Sequence, residues 1–166
     1  MGSIRSHSID IQTSPPLPDG TKVRFRLSCI PLMLGGFDIP VIVSTASAYQ
    51  VPGNPQSVKT AQILAHFDTG ANKTSIDIEL ARQLSLVSTG ESPSNTAAGL
   101  RKATDFVIDL SFPGTNLQPY RNLQISSCEL MNPILPPPFK MLIGRDVMSR
   151  WNIVWDGPSS TVIISD

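Results

Sequence analysis

From Lys22 the chain alternates strictly: Val23, Phe25 and Leu27 fall between Lys22, Arg24 and Arg26. Period-two alternation marks a strand with one buried face. After Gly35-Gly36 a second apolar run covers Ile39 to Thr45, and the glycine turn between the two runs predicts a hairpin. Residues 50–58 read as a loop, and Thr60 to Phe67 as a strand. Thr74-Ser75-Ile76-Asp77 has a hydroxyl followed three positions later by an acid, which predicts a helix start capped by Thr74. Ile76, Leu80 and Leu84 recur every fourth residue and give that helix one apolar face. Further strands are predicted over Lys102–Phe112, Asn122–Cys128, Met141–Ile143, Ile153–Trp155 and Thr161–Ser165, with a short helix from Arg145 to Trp151. Thr161 to Ile164 is apolar on both faces, so both its edges need cover.

Composition agrees with short elements. Fifteen prolines and eleven glycines punctuate 166 residues, and proline is excluded from central strands and helix interiors. The predicted class is all-β. Residues 1–20 hold few apolar positions and end in Pro18-Asp19-Gly20, which reads as a flexible leader. Residues 21–166 form one domain, long enough to bury a core without disulfides.

Thirteen basic and thirteen acidic side chains cancel, and no basic stripe supports a nucleic-acid partner. No apolar run of about 18 residues spans a membrane. Cys29 and Cys128 are the two cysteines, and with no export signal the expectation is two reduced thiols in a cytoplasmic protein. With His7 and His66 they show no metal-ligand spacing, so neither metal nor cofactor is expected.

The chemistry points to Asp68-Thr69-Gly70-Ala71. An apolar strand delivers a carboxylate, and a glycine two positions on allows a tight turn and close approach of a ligand. The threonine hydroxyl can hold the loop. A turn after a strand would explain the tripeptide equally well; its surroundings argue for more. An apolar strand precedes it, a helix follows, and far downstream Leu142-Ile143-Gly144 is followed by Arg145-Asp146 and a second short helix. Strand, glycine loop and helix thus occur twice.

Over roughly residues 60–155 this combination resembles the retroviral-type aspartic proteases, the retropepsins, and their cellular and bacterial relatives. The resemblance implies a closed barrel with a flap hairpin and one or two short helices per chain. It implies an aspartic endopeptidase in which paired carboxyls share a proton and activate a water. This chain has one Asp-Thr-Gly, so Asp68 would need its own copy across the axis of a homodimer. Thr69 would lock the two loops there, and a partner chain would cover the terminal strand, the alternative being pairing within the chain. Ala71 and Asn72 would contact the backbone of a peptide or protein substrate. Asn72 stands where the family carries an acid that pairs with the arginine here numbered Arg145, and Asp146 is the substitute charge.

His66 lies two positions before Asp68 on one strand face, so it should edge a substrate pocket. The alternative is a histidine bonded to a neighbour. Ala98-Gly99-Leu100 is the expected tip of a flap near residues 90–106. Leu142, with Leu135 and Phe139, either shapes apolar pockets or packs in the core. Substrates with apolar residues around the scissile bond are expected. Two other functions fit the sequence: a weak or inactive dimerisation or peptide-binding module on the same fold, and an unrelated β-barrel ligand-binding domain.

Overall fold

The computed structural model describes residues 10–12, 23–26, 37–54, 57–96, 99–115, 117–130, 139–156, 158 and 161–166. The leader apart from 10–12, and with it His7, Cys29, Ala98 and Leu135, lies outside the described residues.

Eleven strands and two short helices are described: β1 (Asp10–Gln12), β2 (Val23–Arg26), β3 (Asp38–Thr45), β4 (Thr60–Phe67), β5 (Ser75–Asp77), α1 (Ile78–Gln83), β6 (Ser88–Thr96), β7 (Gly99–Ser111), β8 (Tyr120–Cys128), β9 (Met141–Ile143), α2 (Arg145–Met148), β10 (Asn152–Asp156) and β11 (Thr161–Ser165). Six of the strands close on themselves in the order β3-β4-β9-β5-β8-β7, with β7 returning to β3. This is the closed all-β barrel that the sequence implies. Closure leaves these six without a free edge inside the ring.

The barrel interior follows from alternation. On β3, Ile39, Val41 and Val43 point inward and are essentially unexposed; Asp38, Pro40 and Ile42 between them are half-buried. Ala65 and Phe67 of β4, Ile76 of β5, Phe106 and Ile108 of β7, Ile125 of β8, and Met141 and Ile143 of β9 belong to the same core cluster. Each such aliphatic side chain contributes about 1.5–3 kcal/mol of transfer free energy. Phe67 also stacks on Trp151, centroids 5.9 Å apart, and tilts against Phe37 at 4.7 Å. The residue before Asp68 is thereby anchored in an aromatic cluster.

A hairpin extends from this ring. β6 pairs only with β7, from Ser88↔Phe106 to Thr96↔Gly99, with a register shift between Ser88 and Gly90. Residues 99–102 of β7 are exposed, whereas burial begins at Ala103. The root of the hairpin is therefore barrel wall and its outer end stands clear.

Three expectations need correction. β2 does not form a hairpin with β3; it pairs with β1 and β11 in a separate four-stranded sheet, β1-β2-β11-β10. Alternation identifies a strand but carries no information on its partner. Thr74 does not cap a helix. Ser75–Asp77 is a strand, and Asp77 caps α1 by accepting the amides of Glu79 and Leu80. Finally, β11 is flanked within its own chain by β2 and β10, so no partner is needed to cover its edges.

Candidate active site

β4 ends at Phe67, and the backbone amide of Asp68 donates to the carbonyl of Ile143 at 3.1 Å. This extends the parallel β4–β9 pairing, Phe67↔Ile143, by one more bond. The chain then turns: the amide of Ala71 donates to the Asp68 carbonyl at 3.1 Å, and the amide of Gly70 donates to Asp68 Oδ1 at 2.8 Å. A Cβ at position 70 would lie 3.1 Å from that same oxygen, close enough to push it aside by a few tenths of an ångström. Asp68 is half-buried, while Thr69 and Gly70 are exposed. The carboxylate therefore has a fixed direction and an open side.

The loop is held from the second glycine segment. Thr74 is fully buried, and both its amide and its hydroxyl donate to Asp146, at 2.9 and 2.8 Å to Oδ1. The same hydroxyl accepts the amide of Gly144 at 3.1 Å. The amide of Arg145 donates to the carbonyl of Ala71 at 3.0 Å, and that of Asp146 to the carbonyl of Asn72 at 3.2 Å. Gly144 makes the approach possible, since a Cβ there would meet Lys73 C at 2.5 Å. Arg145 does not pair with the Asn72 side chain; its guanidinium donates to the carbonyl of Thr69 at 2.9 Å. Asp146 takes no share in an ion pair among the described residues and serves as the acceptor for Thr74.

A third link joins the loop to the hairpin. Lys73 Nζ lies 2.8 Å from Asp105 Oδ1 on β7, which also accepts Ser92 of β6 at 3.0 Å and Ser126 of β8 at 2.7 Å. Burial pushes the Asp105 carboxyl up, but the hydrogen bonds from Lys73, Ser126 and Ser92 outweigh it and hold the group below the usual carboxylate range. Both hairpin strands are thus tied at their root to the Asp68 loop.

His66 lies on β4 one residue before its end, and it is bonded to a neighbour. Its Nδ1 lies 2.6 Å from Asp38 Oδ1, directly opposite on β3, and its ring stacks on Phe139 with centroids 4.7 Å apart. Leu142, next to His66 in the β4–β9 register, is half-buried on this outer face, flanked in β9 by the core residues Met141 and Ile143. Beyond it a hollow of about 400 Å³ is lined by Pro40, Gln62, Ile63, Leu64 and Lys140. Gly99 adopts φ +103°, as a tight turn requires, and Leu100 is 75% exposed on the outer hairpin. Among the described residues no cluster of His, Cys, Asp or Glu could hold a metal, and no helix is long and apolar enough to cross a membrane.

Sequence reasoning missed Lys73, Asp105 and Asp38, and gave Thr74 a different role. A usable signal existed for Asp105 alone: it and Asp109 interrupt an otherwise apolar strand, and an acid in a buried strand needs partners.

No protein-family model and no curated protein matches the chain. Among solved structures it is similar to the crystal structure of a retropepsin-like aspartic protease from Rickettsia conorii, with 13% identity and a TM-score of 0.44 over 98% of this chain and 96% of that chain.

Proposed function

We propose that this chain is one half of an aspartic endopeptidase, with Asp68 as the catalytic carboxylate. The observation that carries the reading is the Asp68 loop itself. Its carboxylate is aimed by the Gly70 amide, its backbone is clamped by Gly144-Arg145-Asp146, and a hairpin is rooted beside it. A structural turn would need neither an aimed acid nor two further segments to hold it.

Peptide hydrolysis by carboxyls requires two of them sharing one proton, because two like charges about 3 Å apart do not both ionise. One Asp-Thr-Gly per chain makes the second carboxyl that of a second copy. The ionised member takes a proton from water as the oxygen adds to the scissile carbonyl. The protonated member hydrogen-bonds the carbonyl oxygen and stabilises its developing charge. Return of a proton to the amide nitrogen lets the C–N bond break. The pH dependence belongs to the pair and not to either residue. The exposed outer hairpin, with Gly99 and Leu100, would close over an extended peptide and exclude water.

The test is Asp68→Asn. Cleavage of a peptide library at pH 4 to 7 should fall to background while circular dichroism stays native. Cleavage equal to that of the unmodified protein would sink the reading, and absence of any Asp68-dependent cleavage would favour a peptide-binding module.

A further inference from the structure

Asp38, His66, Leu142 and Ser75 occupy one cross-strand row over β3, β4, β9 and β5, through the pairs Asp38↔His66, His66↔Leu142 and Ser75↔Leu142. All four are half-buried and lie on the outer face of the barrel. Asp68 follows His66 by two residues, just past the end of β4, so the row passes within about 7 Å of it. The His66 ring is fixed in plane by Phe139, stacked at an interplanar angle of 21°.

The pair has capacity to spare. The 2.6 Å contact uses Nδ1 of the ring and Oδ1 of the carboxyl, leaving one nitrogen and one oxygen over. Asp38 Oδ2 and His66 Nε2 have no hydrogen-bond partner among the described residues. The side chains are only 20% and 22% exposed, so water reaches them poorly. A wall that offers a spare carboxyl oxygen and little solvent is matched by an N–H donor and penalises an alkyl group, which would leave that oxygen dry and unpaired.

We propose that the Asp38–His66 pair is the wall of a substrate subsite beside Asp68 and selects a side chain that donates N–H, such as Asn, Gln, Lys or Arg. This rests on the protease reading and replaces the expectation of purely apolar residues around the scissile bond. His66 and Asp38 are specificity-determining residues, with no part in the proton transfers.

The experiment compares the full chain with His66→Leu and Asp38→Asn on an equimolar peptide library, with Asp68→Asn as the blank. The unmodified protein should favour N–H-bearing side chains over Leu and Met by about 10-fold or more at one position flanking the cut. Each variant should lose that ratio and turn towards aliphatic residues. An unchanged ratio, or equal slowing of every peptide, overturns the proposal; should His66→Leu fail to fold, Asp38→Asn decides alone. If no Asp68-dependent cleavage exists, the protease reading fails separately. A peptide array probed with Asp68→Asn and with Asp68→Asn/Asp38→Asn then decides: an N–H preference lost with Asp38→Asn supports the subsite, and none overturns it.

Discussion

The guanidinium of Arg145 donates to the carbonyl oxygen of Thr69 at 2.9 Å, across 76 positions of sequence. The residue after Asp68 is therefore oriented by the first residue of α2. Replacing Arg145 by Ala should cost about 1 kcal/mol of stability, the worth of one such bond. Under the protease reading, peptide turnover should fall more than the loss of stability alone explains, because the Thr69 carbonyl would no longer be fixed beside the carboxylate. Denaturant melts and initial rates on one preparation measure both.

Thr74 and Gly144 carry the deeper clamp. Thr74→Val keeps the volume but leaves the Gly144 amide and one bond to Asp146 unmade. The expected loss is about 2–4 kcal/mol. Gly144→Ala should destabilise at least as strongly, because its Cβ collides with backbone at Lys73 and not with a movable side chain. Urea denaturation midpoints give both values, and a change within 0.5 kcal/mol, about the range of an ordinary surface substitution, would contradict the clamp.

Acid should loosen the root of the hairpin. The folded-state carboxyls of Asp105 and Asp109 titrate below the usual range; in both, burial raises the value and hydrogen bonds more than offset it. For Asp109 those bonds come from Ser47, Asn122 and Arg121. A lowered folded-state value contributes stability that is present above the ordinary aspartate value of about 3.9. That contribution is lost as pH falls below it through the folded-state values. Thermal melts between pH 2 and 6 should show this slope, and Asp105→Asn should flatten it.

Cys128 should be slow to alkylate in the native protein. Burial, and then the charge of Asp77, push its thiol up to about 12, so almost no thiolate exists at pH 8. Site-resolved mass spectrometry after iodoacetamide, native against urea-unfolded, should show modification at Cys128 in the unfolded sample only.

Short-range rules served well where the stabilising partners are near in sequence. The Asp68 turn and the apolar face of the strands were readable, whereas β6 carries no periodicity and its hairpin with β7 was expected from the resemblance alone. They failed where two local signals competed and a distant group decided. Thr74 and Asp77 each make a plausible cap, and Thr74 is instead claimed by Asp146, 72 positions away. The partner of β2 proved to be β11 at the far end of the chain. The Lys73–Asp105 contact joins a loop to a strand through 32 positions with no motif at either end. The Asp38–His66 pair was half visible: the periodicity gave the face of His66, and only the β3–β4 register supplied its neighbour.

β11 lies between β2 and β10 of its own chain, and that has a consequence for dosage. A chain whose last strand is already sandwiched can finish folding without waiting for a second copy. Under the homodimer reading, pairing would then be a separate equilibrium governed by abundance. Under the paired-carboxyl reading, activity would climb with the square of concentration at low dose, and scarcity alone would keep each half-site silent.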